Sequence, residues 1–259
     1  MKQTSVTTDA PCWVELGTDD PAAARVFYAE LFGWRPESGV RPEDDGYTQM
    51  FLGEAAAAAV TPRYAPQQPV AWTVAIAVAD ADATAARAEA AGGKVRKEPT
   101  DVTDLGRFSV VADPSGAVLI LWQARAFAGA GVFNEPGSLG WVELATRDAA
   151  GARAFYPEVF GWSVAPSEHY TQWGLDGQDF GGMVVMDDGF PPQVAPHWLP
   201  YFSVADVDNT VGRAVAMGAD VLMPAYSMPG RRIAVLRDAQ GAPFGVYTDG
   251  EAGDGGGGP

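Results

Sequence analysis

Trp13-Val-Glu-Leu-Gly-Thr-Asp-Asp-Pro-Ala-Ala-Ala-Arg-Val-Phe-Tyr-Ala-Glu-Leu-Phe-Gly-Trp34 returns 128 residues later as Trp141-Val-Glu-Leu-Ala-Thr-Arg-Asp-Ala-Ala-Gly-Ala-Arg-Ala-Phe-Tyr-Pro-Glu-Val-Phe-Gly-Trp162, without a gap. A repeat of this length marks a duplicated unit. At its front, residues 12–18 alternate as a strand, with Trp13, Glu15 and Gly17 on one face and Val14, Leu16 and Thr18 on the other. Asp19 or Asp20 then caps a helix that carries Pro21 in its first turn. Val26, Phe27, Leu31 and Phe32 form the apolar stripe of that helix, and Gly33 ends it.

The rest of the chain extends this order. Short strands are expected near 34–37, 46–52 and 55–61. Ala71–Val78 reads as a strand and Asp80–Ala91 as a helix stopped by Gly92-Gly93. Val95–Lys97, Gly106–Ala112 and Ala117–Trp122 read as three further strands, with Asp113-Pro-Ser-Gly116 turning between the last two. A Gly/Ala-rich linker at 124–138 leads to the second copy. There Tyr170-Thr-Gln172 answers Tyr47-Thr-Gln49, Trp198–Val204 answers Trp72–Val78, and Asp238-Ala-Gln-Gly241 repeats the turn. The pattern predicts an α+β fold of four βαβββ units in two tandem domains, 11–123 and 139–248. A flexible start (1–10) and a disordered Gly-rich tail (249–259) flank them.

With 259 residues and 47% apolar composition, the chain fills two ordinary cores. Its formal charge of −16 argues against nucleic acid and anionic membrane surfaces, both of which need a basic face. A small-molecule ligand is the expected partner, with the chain as monomer or homodimer. The single cysteine, Cys12, rules out an internal disulfide and fits a reducing compartment. The opening Met1-Lys-Gln-Thr-Ser-Val-Thr-Thr-Asp lacks the apolar core of a secretion signal, and no run approaches the roughly 20 apolar residues of a membrane span. A cytoplasmic protein is expected.

Val14-x-Leu16…Asp19…Phe27-Tyr28…Phe32-Gly33, the copy Val142-x-Leu144…Phe155-Tyr156…Phe160-Gly161, and the Val-Ala-Asp-x-Asp and Asp-x-x-Gly turns carry a family resemblance. As a set they resemble the vicinal oxygen chelate superfamily of glyoxalase I, bleomycin-resistance proteins and extradiol dioxygenases. The likeness covers nearly all of 11–248 and is nearest to two-domain glyoxalase-like proteins of actinobacteria. It implies that each domain curls a mixed sheet, flanked by helices, into a half-barrel around a pocket. In metal-dependent members that pocket holds a divalent ion on His, Gln and Glu. The matching positions here are Trp13, Thr73 and Ile120 in the first domain and Trp141, Leu199 and Gly245 in the second. They supply no ligand set, so neither a metal nor another cofactor is expected.

The strand alternation instead places Glu15 beside Trp13, and Glu143 beside Trp141, on the implied pocket face. A carboxyl among indoles has a raised pKa and suits acid/base work, or binding of a cation with the indole's help. The alternative is a structural Glu, hydrogen-bonded to a neighbouring strand or set at the pocket rim. Tyr47, Gln49, Trp72, Trp122, Trp141, Tyr170, Gln172, Trp173, Trp198, Tyr201 and Tyr247 are candidates to stack on or orient a ligand, against the ordinary role of strand aromatics as core. His197 begins a strand and is a further candidate, whereas His169 is expected on an exposed loop. Arg107 and the Pro229-Gly-Arg-Arg232 turn offer either a carboxylate clamp or a solvated turn. Three functions follow: a metal-free binding protein for small aromatic or hydrophobic metabolites, an enzyme using Glu15 or Glu143 for isomerisation, cyclisation or hydration, and a metal-dependent lyase or dioxygenase.

Overall fold

The computed structural model describes residues 6–37, 46–168 and 170–249. His169 and the tail from residue 250 lie outside them, as does the first half of the expected flexible start. From Asp9 onward that start is tied down: the Asp9 N–H donates to the Ala77 carbonyl (2.7 Å) and the Ala77 N–H to that of Ala10 (3.0 Å).

The first copy runs β1 (Pro11–Thr18), α1 (Pro21–Phe32), β2 (Arg35–Pro36), β3 (Thr48–Leu52), β4 (Ala55–Pro62), β5 (Ala71–Ala77), α2 (Ala81–Ala90), β6 (Lys94–Val102), β7 (Gly106–Ala112) and β8 (Val118–Ala124). The second repeats it as β9 (Leu139–Thr146), α3 (Ala149–Phe160), β10 (Ser163–Pro166), β11 (Tyr170–Leu175), β12 (Gln178–Val185), β13 (His197–Ser203), α4 (Val207–Ala216), β14 (Asp220–Met228), β15 (Arg231–Arg237) and β16 (Pro243–Asp249). Two eight-stranded mixed sheets result, in the orders β2-β3-β4-β1-β5-β8-β7-β6 and β10-β11-β12-β9-β13-β16-β15-β14. Four βαβββ units are present, as the periodicity predicts. Among the described residues no helix is long and apolar enough to cross a membrane.

Local chemistry fixes the helices. Asp20, Asp80, Asp148 and Asp206 each accept the N–H three residues on, at 2.8–3.0 Å, and so satisfy an orphan donor of the first turn. Gly33 and Gly161 close α1 and α3 in the left-handed conformation (φ 73° and 72°), which costs glycine nothing. Along β1, Cys12, Val14, Leu16 and Thr18 are fully buried on one face, leaving Trp13, Glu15 and Gly17 on the other.

The chain packs as two compact units, and these do not follow the repeat. One takes the chain up to Glu15, Thr73–Gly131 and Trp141–Pro200; the other takes Leu16–Trp72, Val132–Gly140 and the chain from Tyr201 onward. Each unit has its own aromatic centre. In the second, the Tyr28 hydroxyl donates to Asp238 Oδ2 (3.0 Å) and accepts from Trp72 Nε1 (3.0 Å), while Asp238 Oδ1 accepts the Gln240 and Ala242 N–H groups (2.9 Å each). In the first, the Tyr156 hydroxyl donates to Asp113 Oδ2 (2.9 Å) and accepts from Trp198 Nε1 (3.0 Å). Asp113 Oδ1 accepts the N–H groups of Ser115, Gly116 and Ala117 at 2.8–2.9 Å. Burial, and then the adjoining carboxylate, holds both phenols well above their ordinary pKa.

Tyr28→Phe and Tyr156→Phe each strand a buried carboxylate oxygen and an indole N–H. Each is expected to lower the unfolding free energy by about 2–3 kcal/mol, read from urea unfolding. An unchanged midpoint in both would show that these hydroxyls are not needed to satisfy the two aspartates.

Candidate functional site

In the first unit, β1 turns Trp13 and Glu15 away from the fully buried face of the strand. Trp13 is buried and Glu15 half-buried. Trp122 lies on β8, two residues on from Ile120, which is in register with Ala75 of β5. The Phe127 ring meets Trp13 edge-on (centroids 5.0 Å apart, 87° between planes) and Trp122 at 6.1 Å and 69°. Trp122 Nε1 donates to the Phe127 carbonyl (2.9 Å). Two indoles, a phenyl ring and one carboxyl therefore share this face. Among the described residues no hydrogen bond or ion pair holds the Glu15 carboxyl. Desolvation by burial lifts its pKa from the ordinary 4.5 to about 7.

The same unit carries the matching face of the second copy. Trp141 Nε1 donates to the Tyr170 hydroxyl (3.0 Å). The Tyr170 ring lies over Gly182, in the space a side chain there would take, and Gly182 is in register with Glu143. Gln172, two residues beyond Tyr170, is exposed, whereas Trp141, Glu143 and Tyr170 are half-buried. His197 is half-buried at the start of β13, on the side of Leu199, and its Nδ1 bonds the Ala195 carbonyl (2.9 Å).

In the second unit, Tyr47, just before β3, and Gln49 within it are half-buried, with Gln49 in register with Ala59. Tyr201 and Tyr247 are buried. The Tyr201 ring fills the space beside Gly245, while the Tyr247 hydroxyl donates to Asn134 Oδ1 (3.2 Å) and its ring lies under the Arg231 guanidinium (4.5 Å).

Several expected ligand contacts are corrected. Trp72 and Trp198 point to the helix side of their strands, where each indole N–H is spent on a helix tyrosine; neither can reach a ligand without dismantling the core. Trp173 is likewise fully buried, against Tyr156 and Trp162. Arg107 and Arg232 are engaged bidentately by Asp82 and Asp208 at 2.7–2.9 Å, which makes them pins between strand and helix rather than carboxylate clamps. The linker residue Phe127 was not among the expected contacts. Its only sequence signal is an aromatic residue in a Gly/Ala-rich stretch.

Residues 12–121 match the family described as the Glyoxalase/Bleomycin resistance protein/Dioxygenase superfamily, and residues 141–247 match the Glyoxalase-like domain. The anthracycline biosynthesis protein DauV of Streptomyces sp. (strain C5) is 39% identical over 263 residues, covering 94% of each chain. The chain belongs to the glyoxalase/bleomycin resistance protein/dioxygenase superfamily. CFP32 of Mycobacterium tuberculosis, which carries a glyoxylase name, is 38% identical over 255 residues, covering 95% of this chain and 97% of its own. Among solved structures, the Mn(II)-bound glyoxalase from Novosphingobium aromaticivorans shares the fold, with a TM-score of 0.68 at 15% identity over 94% of this chain and 83% of that one.

Superfamily membership raises the question of a metal ion. At the positions the resemblance assigns to ligands, this chain has Trp13, Thr73 and Ile120, then Trp141, Leu199 and Gly245. Among the described residues no three His, Cys, Asp or Glu side chains gather closely enough to hold an ion. Indole, methyl and hydrogen are not donors, and a lone threonine hydroxyl is a weak one. The residues at those six positions do not fit the ion that the resemblance implies.

Glu15 holds its proton more tightly in the folded chain than in the unfolded one, so its contribution to stability is complete below about pH 4.5 and lost as pH rises through about 7. Glu15→Gln removes that dependence. Relative to wild type, the variant should gain stability steadily between pH 4.5 and 7 and then hold the gain. Urea unfolding across that range measures it, and parallel pH profiles would contradict the raised carboxyl.

Proposed function

We propose that the chain binds a small planar aromatic or hydrophobic metabolite on the Trp13–Glu15–Trp122 face, without a metal ion, and that Glu15 orients the ligand. The observation that carries this reading is a half-buried carboxyl, unpaired among the described residues and lifted to about pH 7, on a face walled by indoles. Flat rings stack on indoles through offset or edge contacts. A neutral carboxylic acid in an apolar setting donates a hydrogen bond to a carbonyl or phenol oxygen, which an ionised one cannot do. DauV is named for anthracycline biosynthesis, and anthracyclines are fused planar rings bearing such oxygens. That name supports the ligand class.

The same carboxyl favours a second reading. With a pKa near 7, Glu15 has both its acid and base forms at neutral pH, the condition under which a proton shuttle works best. A bound metabolite with an acidic C–H or O–H would then be isomerised or cyclised by proton removal at one atom and return at another. Trp13 and Trp122 hold the ring plane, and the apolar face keeps water from competing for the proton. Glu143, beside Trp141, is proposed as the corresponding group of the second copy.

The reading is tested with 2-naphthol as probe, followed by tryptophan fluorescence and calorimetry. Wild type should bind saturably, Trp13→Ala about tenfold more weakly, and Glu15→Gln without the change in affinity that wild type shows between pH 6 and 8. Dialysis against EDTA should leave binding unchanged. No saturable binding by wild type would sink the proposal, and loss of binding in EDTA restored by a divalent cation would sink its metal-free part.

A further inference from the structure

The linker between the copies contributes a wall to the face described above. The N–H groups of Arg125 and Phe127 both donate to the Leu105 carbonyl (3.0 and 3.1 Å), and that of Ala126 donates to Asp104 (3.2 Å). A few residues on, the Ala130 N–H donates to the Cys12 carbonyl (2.8 Å). Gly129, at φ 117°, passes so close to that carbonyl that a side chain there would collide with it. The backbone of 125–130 is thus fastened at one end to the β6–β7 turn and at the other to β1.

Between these anchors Phe127 reaches the two indoles and is itself half-exposed. Trp122 cannot retreat from it. Its ring occupies the space a side chain at Gly106 would need, and its Nε1 is bonded to the Phe127 carbonyl.

We propose that Phe127 determines ligand size on the Trp13–Glu15–Trp122 face, as an end wall that the linker lends to the first copy. The inference rests on the reading that this face binds planar ligands. The Phe127 ring lies where a further fused ring of a longer ligand would stack between Trp13 and Trp122. Because the backbone is held on both sides, the wall cannot swing clear as a lid does, and the length of the side chain alone sets the space between Trp13 and Trp122. Shortening it opens room for about one aromatic ring; lengthening it removes room.

The test compares 2-naphthol with 1-hydroxypyrene, a two-ring and a four-ring phenol, against wild type, Phe127→Ala and Phe127→Trp. Phe127→Ala should shift the ratio of the two dissociation constants at least tenfold toward 1-hydroxypyrene, and Phe127→Trp at least threefold the other way. Opposite shifts cannot come from general loosening of the fold, and Phe127→Trp carries the test alone if Phe127→Ala is too unstable to titrate. A ratio constant within twofold in the variants, with 2-naphthol still bound by wild type, overturns the wall and leaves the binding face standing. If neither wild type nor either variant binds either probe, the binding face falls and the wall with it.

Discussion

A phenol hydroxyl held between an indole N–H and a buried carboxylate is the constraint on which each unit depends. Asp113 and Asp238 are nearly inaccessible, and a buried carboxylate is tolerable only when its oxygens are filled. One oxygen is filled by the N–H groups of the tight turn and the other by a tyrosine hydroxyl. The tyrosine in turn satisfies the indole of Trp198 or Trp72. Helix, turn and strand are thereby locked through three side chains. The two partners of each lock come from different copies of the repeat, so neither copy completes its own core. The duplication has produced units that each need both halves of the chain.

This arrangement divides the tryptophans. Trp72, Trp173 and Trp198 are committed to the helix side. Trp13, Trp122 and Trp141 are on strands whose opposite face is already filled, and they meet Phe127 or Tyr170 instead. A core built this way is rigid by hydrogen bonding as well as packing. It can therefore carry a strained electrostatic feature elsewhere, and the desolvated Glu15 is such a feature.

Element order was legible because it rests on local signals: Asp caps, Gly33 and Gly161 at helix ends, alternation in β1 and β9. The Phe-Tyr and Asp-x-x-Gly motifs were legible as motifs but their pairing was not. Both copies carry both motifs, so Tyr28 with Asp113 reads as well in one dimension as Tyr28 with Asp238, and long-range packing alone decides. That Trp72 and Trp198 turn to the helix side is not legible, for a related reason. Alternation separates two faces of a strand without saying which of them meets a helix. That Glu15 shares a face with Trp13 is legible because both lie on one short strand. The contacts of Phe127 follow from the path of a linker, and linker paths leave no periodicity in a sequence.

Glu15 also separates two kinds of chemistry that cannot share its face. A divalent cation beside a carboxyl stabilises the ionised form and drives its pKa down; a carboxyl that donates a hydrogen bond near neutral pH needs the reverse, an apolar shell and no cation. At the positions that the family resemblance assigns to an ion's ligands, Trp13, Thr73 and Ile120 stand here. The Trp13 indole, on the same face of β1 as Glu15, brings no charge, and burial there raises the carboxyl's pKa. A raised carboxyl and an uncharged, indole-bearing surrounding therefore go together on this one face, where a bound cation would oppose the rise.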